Sequence, residues 1–132
     1  MKTVLLVCVE NSNRSQMAEA FARMHSAGRV EAASAGSKPS GRINPKAIEA
    51  MQELGYDLTT HASKGLDEYN GHDFDVAVTM GCGDECPLVR AGHRVDWKIP
   101  DPRDMTPDEF RSVRDLIEQK VKELLSTFET KN

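Results

Sequence analysis

The sequence predicts a single α/β domain spanning residues 1–132: a four-stranded parallel sheet flanked by helices on both faces, with an anion-binding loop after the first strand. Three observations predict it. Short apolar runs alternate with amphipathic helical stretches, and that alternation folds as a parallel sheet covered by helices. Two polar, cysteine-bearing segments each follow an apolar run directly, at the strand ends where ligands bind in such sheets. A chain of 132 residues suits one compact domain that buries a real core without disulfides or metal.

Each element has its own local reason. Thr3–Cys8 is a short apolar run that reads as a buried strand. Ser15–His25 follows as a helix, with Met17, Phe21 and Met24 spaced as a core-facing stripe and Gly28 closing it. Val30–Ser34 is the second strand. Asn44 suits the N-cap of the next helix, Pro45 its first turn and Gly55 its C-terminal turn. Its buried face is expected to be Ile48, Met51 and Leu54, or Ala47. Lys64–Tyr69 carries a weak signal for a short helix. Phe74–Met80 is the third strand and Arg94–Ile99 the fourth. Thr106 with Glu109 three residues later forms a capping box around Pro107. The helix it opens lines one side with Phe110, Val113, Ile117, Val121, Leu124 and Phe128. Trp97, the only tryptophan, is expected to pack at the sheet edge.

Composition removes several function classes. The net charge is −4 without a long basic run, so no nucleic-acid partner is expected. The apolar run Val4–Val9 is ended by Glu10 and Asn11, too short for a secretory core or a membrane span. A cytoplasmic protein is the expectation. Three cysteines in a reducing compartment are poor candidates for structural disulfides, and an odd number cannot pair fully.

The first constellation runs from Cys8 to Ser15: Cys8-Val9-Glu10-Asn11-Ser12-Asn13-Arg14-Ser15. A cysteine ends a strand, five residues intervene, and an arginine opens a helix. Such a loop can point the backbone N–H groups of Val9 to Arg14 at one oxyanion, aided by the helix dipole. The planar fork of Arg14 can grip two oxygens of that anion. The same field favours the thiolate of Cys8, which makes it a nucleophile. Ser15 can donate its hydroxyl to the sulfur, and Asn11 tolerates left-handed backbone. Neither a Walker A loop nor a GxGxxG loop is present.

The second constellation is Cys82 and Cys86 in Met80-Gly81-Cys82-Gly83-Asp84-Glu85-Cys86-Pro87. One helical turn would hold the two Cβ atoms ~5–6 Å apart. A disulfide wants ~3.5–4.5 Å, so pairing would need a local rearrangement that the two glycines ease. Three readings stay open here: two small buried residues, a redox pair, or a zinc centre of Cys82, Cys86 and His93, with or without Cys8. The third constellation is Asp101-Pro102 before the last helix, a candidate general acid on a stiffened loop or a plain turn. Outside that zinc reading, His25, His61, His72 and His93 show no defensible partner pattern.

Cys8-x5-Arg14-Ser15 at the end of the first strand resembles the signature of the low-molecular-weight protein tyrosine phosphatases and of the arsenate reductases related to them. Arg14-Ser15-Gln16-Met17-Ala18-Glu19-Ala20 is closer to the reductase branch, because the phosphatases usually carry proline where Gln16 stands. Ser34-Ala35-Gly36 and Asn44-Pro45-Lys46-Ala47 resemble that branch too, and the likeness covers nearly the whole chain. It implies arsenate as substrate, phosphate or sulfate as competing oxyanions, and no metal or organic cofactor. It implies Cys8 as nucleophile, Asp101 as the acid for the leaving oxygen, and Cys82 and Cys86 as a relay emptied by thioredoxin or another thiol. A monomer is expected.

The alternatives are a phosphomonoesterase using Cys8, Arg14 and Asp101 alone, and an oxyanion- or zinc-holding regulatory module. The tyrosines that often follow Asp-Pro in the phosphatases are replaced by Arg103-Asp104-Met105, which argues against phosphotyrosine selectivity. Two departures stand out. Glu10 occupies a common glycine position and weakens anion binding unless it points away. Asn13 stands where some reductases carry an extra cysteine. In some relatives an acidic residue at the place of Lys64 surrounds a monovalent cation with Asn11, Glu19 and Ser34. Here the Lys64 ammonium can stand in for that cation, or be a solvated surface charge.

Overall fold

The computed structural model describes residues 2–8, 13–26, 28–36, 38, 40–65, 69, 73–80, 91–102 and 104–129. Strand β1 is Lys2–Cys8, β2 Val30–Gly36, β3 Phe74–Thr79 and β4 Ala91–Asp96; the helices are α1 Arg14–Ser26, α2 Pro45–Gln52 and α3 Pro107–Glu129. The four strands form one sheet in the order β2-β1-β3-β4, and every neighbouring pair is parallel. The chain therefore has the expected fold class.

Strand β1 is central because its residues are apolar on both faces. Val4, Leu6 and Cys8 join the core shared by α1, α2 and α3. Leu5 and Val7 point the other way and pack with Ala35, Ala33, Tyr69 and Phe74. Leu5 and Leu6 are both fully buried, and a buried leucine is worth roughly 2–5 kcal/mol against alanine.

Helix α1 is buried along its first nine residues, Arg14 to Ala22. The expected stripe is corrected at one position. Met17 and Phe21 are fully buried, but Met24 is exposed, while Ser26 in the same turn is buried. In α2 the Asn44 side chain accepts from Lys46 N–H at 2.8 Å and Pro45 starts the helix, as expected. The buried residues are Ala47, Ala50 and Met51; Leu54 is exposed at 39% and so does not belong to that face. Gly55 follows the last helical residue by three positions at φ +82°. A 3-10 turn, Leu58–Thr60, was not legible in advance, and Asp57 caps it by accepting from Thr59 N–H. The short helix expected around Lys64–Tyr69 falls partly outside the described residues. Lys64 itself is irregular backbone, and Gly65 bridges Gly36 in parallel register.

Strand β4 starts and ends three residues before the expected Arg94–Ile99. It is an edge strand, largely exposed, so it lacks the apolar alternation that marks a strand. Trp97 and Ile99, whose apolar character suggested strand, are buried just after it. The capping box is present: Thr106 N–H donates to Glu109 Oε1 at 3.0 Å and Glu109 N–H to Thr106 Oγ1 at 3.3 Å. Phe110, Val113, Ile117 and Val121 are buried as expected, joined by Leu125, while Leu124 and Phe128 are only partly covered.

Candidate active site

The parallel register puts the carboxyl ends of all four strands along one edge of the sheet. Cys8 is the last residue of β1 and is 3% exposed. Arg14 opens α1, and Asn13 precedes it with its carbonyl accepting from Met17 N–H at 3.0 Å. The cysteine and the helix N-terminus thus face one another across the loop. Val9, Glu10, Asn11 and Ser12 lie outside the described residues, as do Cys82 and Cys86.

Five site residues expected from the sequence are described: Cys8, Asn13, Arg14, Ser15 and Asp101. The Ser15 hydroxyl is 2.9 Å from Cys8 Sγ in a buried setting. With the sulfur as thiolate, that hydroxyl is the donor. The Arg14 guanidinium is buried. Its Nη1 donates to the Ile99 carbonyl at 2.9 Å, and its Nη2 is 4.0 Å from Asp101 Oδ2. Asp101 therefore shares the site with Arg14, carried by the segment after β4, with Pro102 buried behind it. The Ile99 carbonyl fixes the arginine's orientation. Backbone acceptors leave no signature in sequence, so this partner was not foreseen. Asn13 is buried, and its Oδ1 finds no hydrogen-bond partner among the described residues.

Behind the loop lies a buried polar cluster that the sequence did not announce as a unit. Glu19, 1% exposed, accepts from Ser34 Oγ at 2.6 Å and pairs with Arg23 at 2.7 Å. Lys64 Nζ is 3.9 Å from Glu19 Oε1, so Lys64 reaches the Glu19–Ser34 pair. His61 Nδ1 is 3.7 Å from Glu19 Oε2 and 2.9 Å from Gln16 Oε1. Burial lowers the His61 pKa below its ordinary value; Glu19 opposes this, and Arg23 and Lys64 reinforce it. Tyr56 Oη is 2.6 Å from His61 Nε2, and burial raises the Tyr56 pKa. His25 pairs with Glu118 of α3 at 2.8 Å and stacks on Phe21, a helix-packing role. His93 is exposed on β4. Among the described residues no group of three or more His, Cys, Asp or Glu side chains could hold a metal ion.

A cysteine ending a central parallel strand, with an arginine opening the next helix, defines an α/β protein whose first strand-to-helix connection is framed by Cys8 and Arg14. The chain belongs to the low-molecular-weight phosphotyrosine protein phosphatase family, whose profile matches residues 3–132. It is 36% identical over 129 residues to the glutaredoxin arsenate reductase of Synechocystis, covering 96% of this chain and 98% of that one. A solved arsenate reductase in the phosphate-binding state superposes with a TM-score of 0.88 at 36% identity, covering 96% of this chain and 98% of the other. A thioredoxin-dependent arsenate reductase of Corynebacterium glutamicum superposes with a TM-score of 0.82 at 30% identity, covering all of this chain and 64% of that one.

Proposed function

We propose that this chain reduces arsenate to arsenite, using Cys8 as nucleophile and Cys82 and Cys86 as a dithiol relay. The observation that carries the reading is a backbone hydrogen bond. Met80 N–H donates to the Val7 carbonyl at 2.8 Å. Met80 is two residues before Cys82, and Val7 is one residue before Cys8. The strand that leads into the Cys82–Cys86 segment therefore leaves the sheet beside the residue that precedes Cys8. A phosphatase needs no thiol there, whereas a reductase does.

Arsenate is tetrahedral like phosphate, and the loop from Val9 to Arg14 cradles it. The Cys8 thiolate attacks arsenic, forming a sulfur–arsenic bond. An arsenic–oxygen bond breaks, and the oxygen leaves as water with a proton from Asp101. The Cys82 thiolate then attacks Cys8 Sγ. The sulfur–arsenic electron pair goes to arsenic, which falls from the +5 to the +3 state, and arsenite departs. Cys86 attacks Cys82, releasing the Cys8 thiolate and leaving a Cys82–Cys86 disulfide. Two thiols have given two electrons. An external dithiol of the thioredoxin kind restores them, and no metal or organic cofactor is needed. We place the enzyme in the cytoplasm as a monomer. No helix among the described residues is long and apolar enough to cross a membrane.

The test separates reduction from hydrolysis. Hydrolysis of an aryl phosphate uses Cys8, Arg14 and Asp101 only. Cys82→Ser should lose arsenate reduction and keep any aryl phosphatase side activity. Normal arsenate reduction by that variant would sink the relay and point to a small-molecule thiol attacking Cys8 directly.

A further inference from the structure

Gln16 is fully buried in the first turn of α1, next to Ser15. Its Nε2 donates to the Ala62 carbonyl at 2.9 Å. A carbonyl only accepts, so this contact settles which end of the amide is nitrogen. The other end, Oε1, lies 2.9 Å from His61 Nδ1 and can only accept. His61 Nδ1 therefore carries the hydrogen. In the neutral ring Nε2 is then a bare acceptor, and Tyr56 Oη at 2.6 Å must donate to it. Donation runs one way along a chain: Tyr56 to His61, His61 to Gln16, Gln16 to the Ala62 carbonyl.

The post that receives this chain is anchored to the sheet. Gly36 N–H donates to the Lys64 carbonyl at 2.9 Å, and Gly65 bridges Gly36. Gly36 in turn is paired with Cys8 across β1 and β2. The helix that carries Arg14 and Ser15 and the strand that carries Cys8 are thus joined by the Gln16 amide, independently of the loop between them.

We propose that Gln16 is a positioning residue for the chemistry at Cys8. Its doubly engaged amide sets the rotation and depth of the first turn of α1. That placement puts the Ser15 hydroxyl on Cys8 Sγ and aims the Arg14 fork, so Gln16 acts through these neighbours. His61, fixed as the Nδ1–H tautomer, is the donor that holds the amide in register. Satisfied buried networks rigidify in this way, and misplacement by about 1 Å is enough to cost ~10²-fold in a reacting geometry. The proposal rests on the reading of Cys8 as nucleophile and of the loop as an oxyanion site. It does not depend on whether arsenate is reduced.

The experiment uses the full-length reduced protein carrying Cys82→Ser and Cys86→Ser, so that Cys8 is the one remaining thiol. Three variants are added to it: Gln16→Met, His61→Leu and His61→Asn. Asparagine keeps a side-chain N–H near the position of Nδ1; leucine does not. Three readouts are taken: affinity for inorganic phosphate, the rate of Cys8 alkylation by iodoacetamide against pH, and the melting temperature. Gln16→Met and His61→Leu should each weaken phosphate binding roughly tenfold, the scale of one buried hydrogen bond. Each should also move the alkylation profile to higher pH, as Ser15 withdraws from the sulfur. His61→Asn should recover most of both. If Gln16→Met does not fold, the His61 pair carries the same test. The proposal is overturned if the variants lower the melting temperature while phosphate affinity and the alkylation profile stay at parent values, or if His61→Asn behaves as His61→Leu does. Parent protein that neither binds phosphate nor shows an activated Cys8 would instead overturn the reading of the site on which the proposal rests.

Discussion

At the scale of single residues, the site depends on how few ways a side chain has of meeting two partners. Arg14 spends one nitrogen on the Ile99 carbonyl and turns another towards Asp101. The guanidinium plane is therefore oriented before any anion arrives. Lysine at this position keeps the charge but loses the fork. Arg14→Lys should weaken inorganic phosphate binding by at least about a hundredfold, since hydrogen bonds to a charged partner are each worth ~1.5–3 kcal/mol; undiminished binding in a phosphate titration would show that Arg14 is not the clamp. Lys64 makes a second residue-level prediction. Its ammonium stands 3.9 Å from a carboxylate oxygen of buried Glu19, which Ser34 and Arg23 also engage. With a cation built into the chain, the melting temperature should be the same in potassium as in choline salts at equal ionic strength. A potassium-specific rise would mean that a true ion site survives there. Cys8, Arg14 and Ser15 were legible because they are close in sequence and their spacing carries the chemistry. His61 was not, because its partners Gln16 and Glu19 lie 45 and 42 positions away and only the fold brings them together.

At the scale of elements, what was legible depended on whether the signal was local. The Asn44 cap and the Thr106–Glu109 box are local, and both stand where the residues placed them. Strand β4 is held by pairing to β3 rather than by its own apolar pattern, so its ends were misjudged by three residues. Helices α2 and α3 are joined by charge at their surface. Glu53 accepts from Arg111 at 2.9 to 3.1 Å and from Arg114 at 2.8 Å. Its carboxyl is held below its ordinary value of 4.5 by the hydrogen bond from Arg111 first and from Arg114 second. A carboxyl whose folded pKa is depressed stabilises the fold above the unfolded value and stops doing so as pH falls through the folded value. The parent should therefore melt higher than Glu53→Gln near pH 7, and the gap should close on acidification from about 4.5 downward. A gap that persists unchanged at pH 3 would mean that packing of Glu53, not its charge, joins the helices. Because Glu53 is solvent-exposed, the gap should also shrink in high salt.

At the scale of the whole molecule, the decisive feature is the strand order. The alternation of strands and helices announced a parallel sheet but not which strands are neighbours. Order β2-β1-β3-β4 sets β1 against β3, and so makes neighbours of the two strand exits that the cysteines follow in sequence. Had β4 stood beside β1, another strand would separate the exits of β1 and β3. Met80 is bonded to Val7, so β3 leaves the sheet beside the end of β1, and the sequence that follows carries glycines at 81 and 83. The proposed relay takes the thiols in chain order from this point. In that proposal Cys82, nearer to Met80 in the chain, attacks Cys8 first, and Cys86 follows. Cys86→Ser should then complete a single reduction and stall with Cys8 bonded to Cys82. Parent protein given arsenate and no reductant should lose two titratable thiols and yield a Cys82–Cys86 peptide on non-reducing digestion. The Cys86→Ser protein should yield a Cys8–Cys82 peptide in its place, after one arsenite per chain. Repeated thioredoxin-dependent turnover by parent protein whose Cys82 and Cys86 never oxidise would mean that the neighbouring strand exits have no part in the chemistry.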